Sequence, residues 1–174
     1  LGANPEQVAV TGSLKFLVDV SEKGKQAYFA AIEKTARPVL VAASTREGEE
    51  EKVLAAFKKC LAEIPSLLLV LIPRHPERFV KAGKLSEDEG LTTVRRSDGA
   101  VVEPNIQVVI GNSMGEMLDY YSVATIAFVG GSLVDTGCQN ILEPAAMGIP
   151  ILVGPSQYNF ATICKQLEHA GGLK

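Results

Sequence analysis

Two short segments carry the side chains best suited to gripping an anion or a sugar. Pro73-Arg74-His75-Pro76-Glu77-Arg78 follows the apolar run Leu67–Ile72. Its prolines fix a turn, and its two arginines and histidine stand where a fork of N–H donors can meet an anionic ligand. Arg74 and His75 read as ligand contacts. Pro76 opens a helix at its first position, and Arg78 belongs to a solvated helix face. The second segment runs from Gly130-Gly131-Ser132 to Gly137-Cys138-Gln139-Asn140-Ile141-Leu142-Glu143-Pro144. Asn140 and Glu143 have the spacing of a capping box, which makes a sound helix start. A carboxylate at that place also accepts hydrogen bonds from both hydroxyls of a ribose, and the two roles coexist. Pro144 is tolerated because its missing N–H falls in the first turn.

Two further loops offer weaker chemistry. In Ser44-Thr45-Arg46-Glu47-Gly48 the hydroxyls of Ser44 and Thr45 can donate to a phosphate at a helix start. The same residues before a run of glutamates also make an N-cap with favourable dipole charges, and those glutamates repel an anion. In Gly111-Asn112-Ser113-Met114-Gly115-Glu116 the glycines permit close backbone approach, and the Met114 thioether can lie against a planar ring; glycine in such a loop also serves the turn alone. No G-x-G-x-x-G follows a strand and no G-x-x-x-x-G-K-[ST] occurs, so the common dinucleotide and P-loop readings fall. His75 and His169 lack nearby partners for a metal site. Charge on a phosphate must then be met by backbone N–H groups and arginine.

These loops need a frame, and the pattern of the chain supplies one. Short β-rich runs at Gln7–Thr11, Val39–Ala43, Leu67–Ile72, Leu91–Arg95, Ile106–Ile110, Ile126–Val129 and Ile149–Val153 alternate with helix-length stretches. The stretches are Gln26–Thr35, Glu49–Ile64, Glu77–Leu85, Met114–Val123, Asn140–Met147 and Phe160–His169. In Glu49–Ile64 the apolar residues Val53, Leu54, Phe57, Cys60, Leu61 and Ile64 recur at helical steps. Leu67–Ile72 is apolar throughout, as a strand covered on both faces must be. The fold class expected is α/β, a doubly wound parallel sheet of Rossmann-like type. Glu87–Asn105 is the least regular stretch and reads as a loop holding one short strand, with Glu87-Asp88-Glu89 a solvated acidic face. Ligands of such sheets bind at the carboxyl ends of the strands, which is where all four loops begin.

Composition narrows the rest. A chain of 174 residues, 47% apolar, suits one domain with a proper core. With 17 Lys+Arg against 20 Asp+Glu, it lacks the basic excess of a nucleic-acid-binding surface. The six-residue apolar run is far short of the roughly 18 residues of a membrane span. Three scattered cysteines, Cys60, Cys138 and Cys164, give neither a disulfide framework nor a zinc signature, which suits a reducing cytosol. The chain opens at Leu1 without an initiator Met and stops at Lys174 where a helix gives way to a strand, so it reads as part of a longer protein.

Taken together the motifs resemble a known family. Val10–Phe16, Ser44-Thr45 with Glu47–Glu50, Pro73–Arg78, Met114-Gly115-Glu116, Val129–Val134, Asn140–Pro144, and Gly154-Pro155 with Asn159-Phe160 follow the order found in the carboxy-terminal half of the 3-deoxy-D-manno-octulosonic acid (Kdo) transferases. The resemblance covers nearly the whole chain. It implies one donor-binding domain over residues 1–174, belonging to a GT-B glycosyltransferase and lacking the amino-terminal acceptor domain and the final helices. It implies the donor CMP-Kdo, no cofactor and no metal. The acceptor implied is a lipid A precursor at the cytoplasmic face of the inner membrane of a Gram-negative bacterium, with inversion at the anomeric centre and membrane contact through the other half. The general base implied is a glutamate of the amino-terminal domain, so no catalytic residue is expected here and the fragment alone is expected to be inactive.

By motif match the cytidine monophosphate contacts implied are Pro73, Arg74, Met114, Gly115, Glu116, Asn140, Ile141, Leu142 and Glu143, with Glu143 on the ribose hydroxyls. Ser44, Thr45, His75, Gly131 and Ser132 are the further candidates for phosphate or sugar. Three departures stand out: Arg46 where the family usually has His, Asn112-Ser113 for Asp-Thr, and Cys138-Gln139 for Gly-His. Two rival readings share this frame. One is a Rossmann-like interaction module that binds no nucleotide, and the other a transferase or epimerase that uses a UDP-sugar.

Overall fold

The structure, a computed structural model, describes residues 4, 6 and 26–174. The strand expected at Gln7–Thr11 and the motif Val10–Phe16 lie outside the described residues. The elements run α1 (Ala27–Lys34), β1 (Val39–Thr45), α2 (Glu50–Glu63), β2 (Leu68–Pro73), α3 (Phe79–Asp88), β3 (Thr93–Arg95), β4 (Val108–Ile110), α4 (Met117–Ser122), β5 (Ile126–Val129), α5 (Leu142–Ala146), β6 (Ile151–Leu152) and α6 (Ala161–His169). Single 3-10 turns at Pro76–Arg78, Arg96–Asp98 and Tyr158–Phe160 lead into or out of them.

All strand pairs are parallel, in the order β3-β4-β2-β1-β5-β6. Leu173 adds a parallel bridge to Ile151 beyond β6. The chain builds outward from β1 through β2, then returns through α4 to place β5 on β1's other side. That reversal makes a switch point between β1 and β5, and the crevice outside the strand ends there is where α/β sheets bind ligands.

Side-chain alternation explains the double cover. Leu68, Val70 and Ile72 of β2 join Phe29 and Ile32 of α1 and Tyr120 and Tyr121 of α4 in one core cluster. Leu69 and Leu71 join Leu54 and Phe57 of α2 and Ala82 of α3 in another. Successive strand residues thus enter opposite cores, which is why the run is apolar without interruption.

Several boundaries differ from the pattern for physical reasons. α4 begins three residues after Met114, because Gly115 sits at φ +78° in the left-handed region. α3 starts at Phe79 after the Pro76–Arg78 turn and runs through Asp88, so the expected irregular stretch begins later. α5 begins only at Leu142. Cys60 and Ile64 continue the stripe of α2 but are exposed, since the last turn runs past the sheet. Arg78 lies on no solvated face: it is mostly buried and forms an ion pair with the buried Glu50.

Candidate functional site

The carboxyl end of β1 is bent on purpose. Ala43 pairs with Ile72 and Thr45 with Pro73, leaving Ser44 as an unpaired bulge at φ +55°. A bulge at a strand end re-aims its side chain, and Ser44 faces a crevice of about 80 Å³. Pro73 and Arg74 after β2, and Ser113, Met114, Gly115 and Glu116 after β4, line the same crevice, with Phe79 and Tyr120 at its floor. The bulge needs Gly130 opposite it: a Cβ there would stand 2.5 Å from the Ser44 carbonyl oxygen and 2.6 Å from the Thr45 Cα. Backbone hydrogen bonds from Arg74 to Thr45 and from Gly130 to Ala43 tie the three loops together.

Arg74 is the cation of this crevice. Its backbone is fixed, its side chain is exposed, and its guanidinium meets no acceptor or carboxylate among the described residues. The loop across from it is equally open. None of the N–H groups from Asn112 to Glu116 finds an acceptor within the described residues, and Met114 stands 70% exposed. Five donors and one guanidinium beside a small cleft form an arrangement that receives an anion.

Other predicted contacts are already engaged inside the protein. The buried Thr45 hydroxyl donates to Glu50 at 3.3 Å, and Arg78 grips the same carboxylate with two N–H groups at 3.1 and 3.0 Å. Ser132 is fully buried and donates to the Val129 carbonyl at 2.7 Å. The Gly131 N–H donates to Glu49 Oε2 at 2.7 Å. The Thr45 and Ser132 hydroxyls and the Gly131 N–H therefore hold the scaffold, whereas Ser44 lines the crevice. His75 Nε2 lies 3.0 Å from Arg46 Nη1, so this ring nitrogen is already engaged by a neighbouring side chain.

Glu49 is the residue that pattern alone missed. Fully buried, it accepts from the backbone N–H of Arg46 at 2.8 Å, Gly131 at 2.7 Å and Leu133 at 2.8 Å. A carboxylate from one loop thus fills the glycine turn of another. The run of glutamates was legible only as dipole compensation, because two of the partners lie 82 and 84 residues away.

Asn140 and Glu143 are neighbours as their spacing implied, with different bonds. Asn140 Oδ1 accepts from the Leu142 N–H at 3.1 Å, and its amide donates to Glu143 Oε1 at 3.0 Å. The Glu143 carboxylate meets the Asn140 side chain rather than its backbone N–H, so no reciprocal capping box forms. Burial holds the Glu143 carboxyl above the usual carboxylate range, and the Asn140 hydrogen bond opposes the rise. Oε2 meets no donor among the described residues. Ile141 and Leu142 pack into a core cluster with Cys138 and Cys164, so only their backbone can face a ligand. Burial pushes the Cys138 thiol up to about 12, leaving it inert.

Asn140 and Glu143 do not line the crevice of Arg74 and Met114. They stand at the same carboxyl edge, following β5, three strand positions from β4. At roughly 4.8 Å per strand that is about 14 Å along the edge. The predicted set is therefore split into a crevice and a flanking carboxylate, both outside the strand ends.

Among the described residues no three His, Cys, Asp or Glu side chains gather as a ligand set for a metal ion. No helix among them is long and apolar enough to cross a membrane.

Comparison with known proteins adds an independent line. No family model matches the chain. It is 39% identical over 175 residues to the 3-deoxy-D-manno-octulosonic acid transferase of Haemophilus influenzae, covering 99% of this chain and 41% of that protein. It is 41% identical over 174 residues to the protein of the same name from Bordetella pertussis, covering 98% and 40%. The chain therefore spans about 40% of the length of these curated relatives. Among solved structures, the C-terminal CMP-Kdo binding domain of WaaA from Acinetobacter baumannii superposes with a TM-score of 0.75 at 35% identity, over 83% of this chain and 80% of that one.

Proposed function

The chain belongs to the Kdo transferase family, and from that premise we propose that it is the donor-binding half of a GT-B glycosyltransferase and holds CMP-Kdo. The observation that carries the reading is that Arg74, whose guanidinium has no partner among the described residues, lines one crevice with Ser113, Met114, Gly115 and Glu116, whose backbone N–H groups are likewise unpaired among the described residues. The phosphate of the donor sits between them, and Ser44 adds a hydroxyl. The nucleoside extends along the sheet edge toward Glu143, whose free oxygen accepts from the ribose hydroxyls.

In the transfer, the bond between the anomeric carbon and the phosphate oxygen breaks, and its electron pair stays on the departing cytidylate. Arg74 and the loop amides meet that growing charge, which is the largest electrostatic demand of the step. The acceptor hydroxyl attacks from the opposite face, so the centre inverts. Its proton passes to a carboxylate supplied by the amino-terminal half of the whole enzyme, and the chain alone is inactive. The positive charge provided by Arg74 and the amides supports a reaction that runs without a metal ion. The acceptor is a lipid A precursor, and the whole enzyme works at the cytoplasmic face of the inner membrane of a Gram-negative cell.

Titration of the chain with CMP, UDP and GDP by calorimetry tests the donor reading. CMP is expected to bind at least tenfold more tightly than either rival. Preference for UDP points to a UDP-sugar enzyme of the same architecture. Absence of binding to all three supports an interaction module and overturns the proposal.

A further inference from the structure

The loop that presents the free N–H groups has almost nothing of its own to hold its shape. No backbone donor from Asn112 to Glu116 is paired among the described residues, and Gly115 lies in the left-handed region. What holds the loop is side chains. Glu116, only 15% exposed in its side chain, accepts from the Ser113 hydroxyl and from Arg96 Nη2 at 2.9 Å. Tyr120 in turn donates to Ser113 Oγ at 2.7 Å.

Arg96 comes from the turn after β3 and is itself held on three sides. Its Nη2 also donates to Gln26 Oε1 at 2.9 Å. Its Cζ lies 4.3 Å from the Tyr28 ring centroid and 5.4 Å from that of Phe29. Beside it, Asn112 and Ser97 exchange two hydrogen bonds, at 2.9 and 2.8 Å. A guanidinium packed over a ring while its Nη2 reaches a carboxylate combines contacts that a lysine ammonium does not reproduce.

We propose that Arg96 is a positioning residue for the donor site: it anchors Glu116 from beneath and thereby sets the Met114–Gly115 amides at the distance an anion requires. The Glu116 carboxylate is then the loop's internal anchor, with both oxygens engaged, and the residue's backbone N–H alone is left to the ligand. The inference rests on the donor reading for its functional consequence, while its structural half stands without it.

The test uses the 174-residue chain with Arg96→Ala and Arg96→Lys. In the unliganded R96A protein, amide order parameters from Ser113 to Met117 are expected to fall from about 0.85 to below about 0.6, with the sheet unchanged. CMP affinity is expected to fall on the order of tenfold, the scale of a misplaced binding group. Methylguanidinium should restore both the loop order and the affinity, and methylammonium at equal ionic strength should not. In a Glu116→Gln background, R96A should add little further loss, because both act through one contact.

Unchanged loop order overturns the proposal. Lost affinity with the loop still ordered also overturns it, since Arg96 would then touch the ligand itself. Should R96A fail to fold, R96K carries the same readouts, with intermediate losses expected. If the unaltered chain binds no CMP, the donor reading falls and the loop-order measurement alone decides the inference.

Discussion

Replacing Glu49 by Gln keeps shape and volume and removes one acceptor. In the folded protein Oε2 takes two N–H groups, from Arg46 and Gly131, and Oε1 takes one, from Leu133. The amide oxygen will settle where two donors wait, so the new NH2 faces the Leu133 N–H. That leaves one part-buried donor unsatisfied, at roughly 1–3 kcal/mol, and turns two charge-assisted bonds into neutral ones, at about 1 kcal/mol each. Relief of a buried charge offsets part of this, so the net loss is about 2–4 kcal/mol. For a chain of this size the unfolding midpoint should fall by roughly 5–15 °C. Calorimetric melting against Glu51→Gln, an exposed neighbour with no such contacts, provides the control. If the two variants melt together, the carboxylate does not clamp the loops after β1 and β5, and the reasoning fails.

Other outcomes follow from the same geometry. Arg74→Ala should weaken CMP binding by roughly 1.5–3 kcal/mol, on the order of 10- to 150-fold, with no shift in the melting midpoint, because its guanidinium has no partner among the described residues. Glu143→Gln should weaken CMP binding by roughly 1–3 kcal/mol. Burial raises the Glu143 carboxyl in the folded state, so its contribution to stability is full below the unfolded value and is lost as pH rises through the folded one. Urea midpoints of the unaltered chain relative to Glu143→Gln should therefore drop as pH rises above about 4, the range of the unfolded carboxyl. CMP affinity should move the other way, weakening as pH falls, since ribose hydroxyls donate to the ionised form. Gly130→Ala drives a methyl into the Ser44 bulge and should cost roughly 1–3 kcal/mol or more by urea unfolding.

How much of this was readable beforehand depends on how local each interaction is. The strand cores and the α2 stripe follow from periodicity within a few residues, and they place the four loops at one edge of the sheet. Arg74 and Met114 stand in strand-to-helix loops, so their convergence follows from topology. The pairing of Asn140 with Glu143 follows from spacing, although which atoms meet does not. Glu49 and Arg96 escaped because their partners are distant in the chain: Gly131 and Leu133 for one, Gln26 and Glu116 for the other. Gly131 looked available for the same reason, whereas the partners of Thr45 and Ser132, Glu50 and the Val129 carbonyl, are close in the chain but are brought to them only by the local fold. A free hydroxyl or N–H in a sequence becomes an engaged one when the fold brings a carboxylate or carbonyl to it.

The central claim is that one edge of this sheet grips a cytidylate through Arg74, the amides about Met114 and the carboxylate of Glu143. A crystal of the chain soaked with CMP tests it most directly. The account predicts a phosphate in the crevice between Arg74 and the Met114–Gly115 backbone, with the ribose hydroxyls on Glu143. A nucleotide bound elsewhere, or bound here with its phosphate away from Arg74, would contradict it.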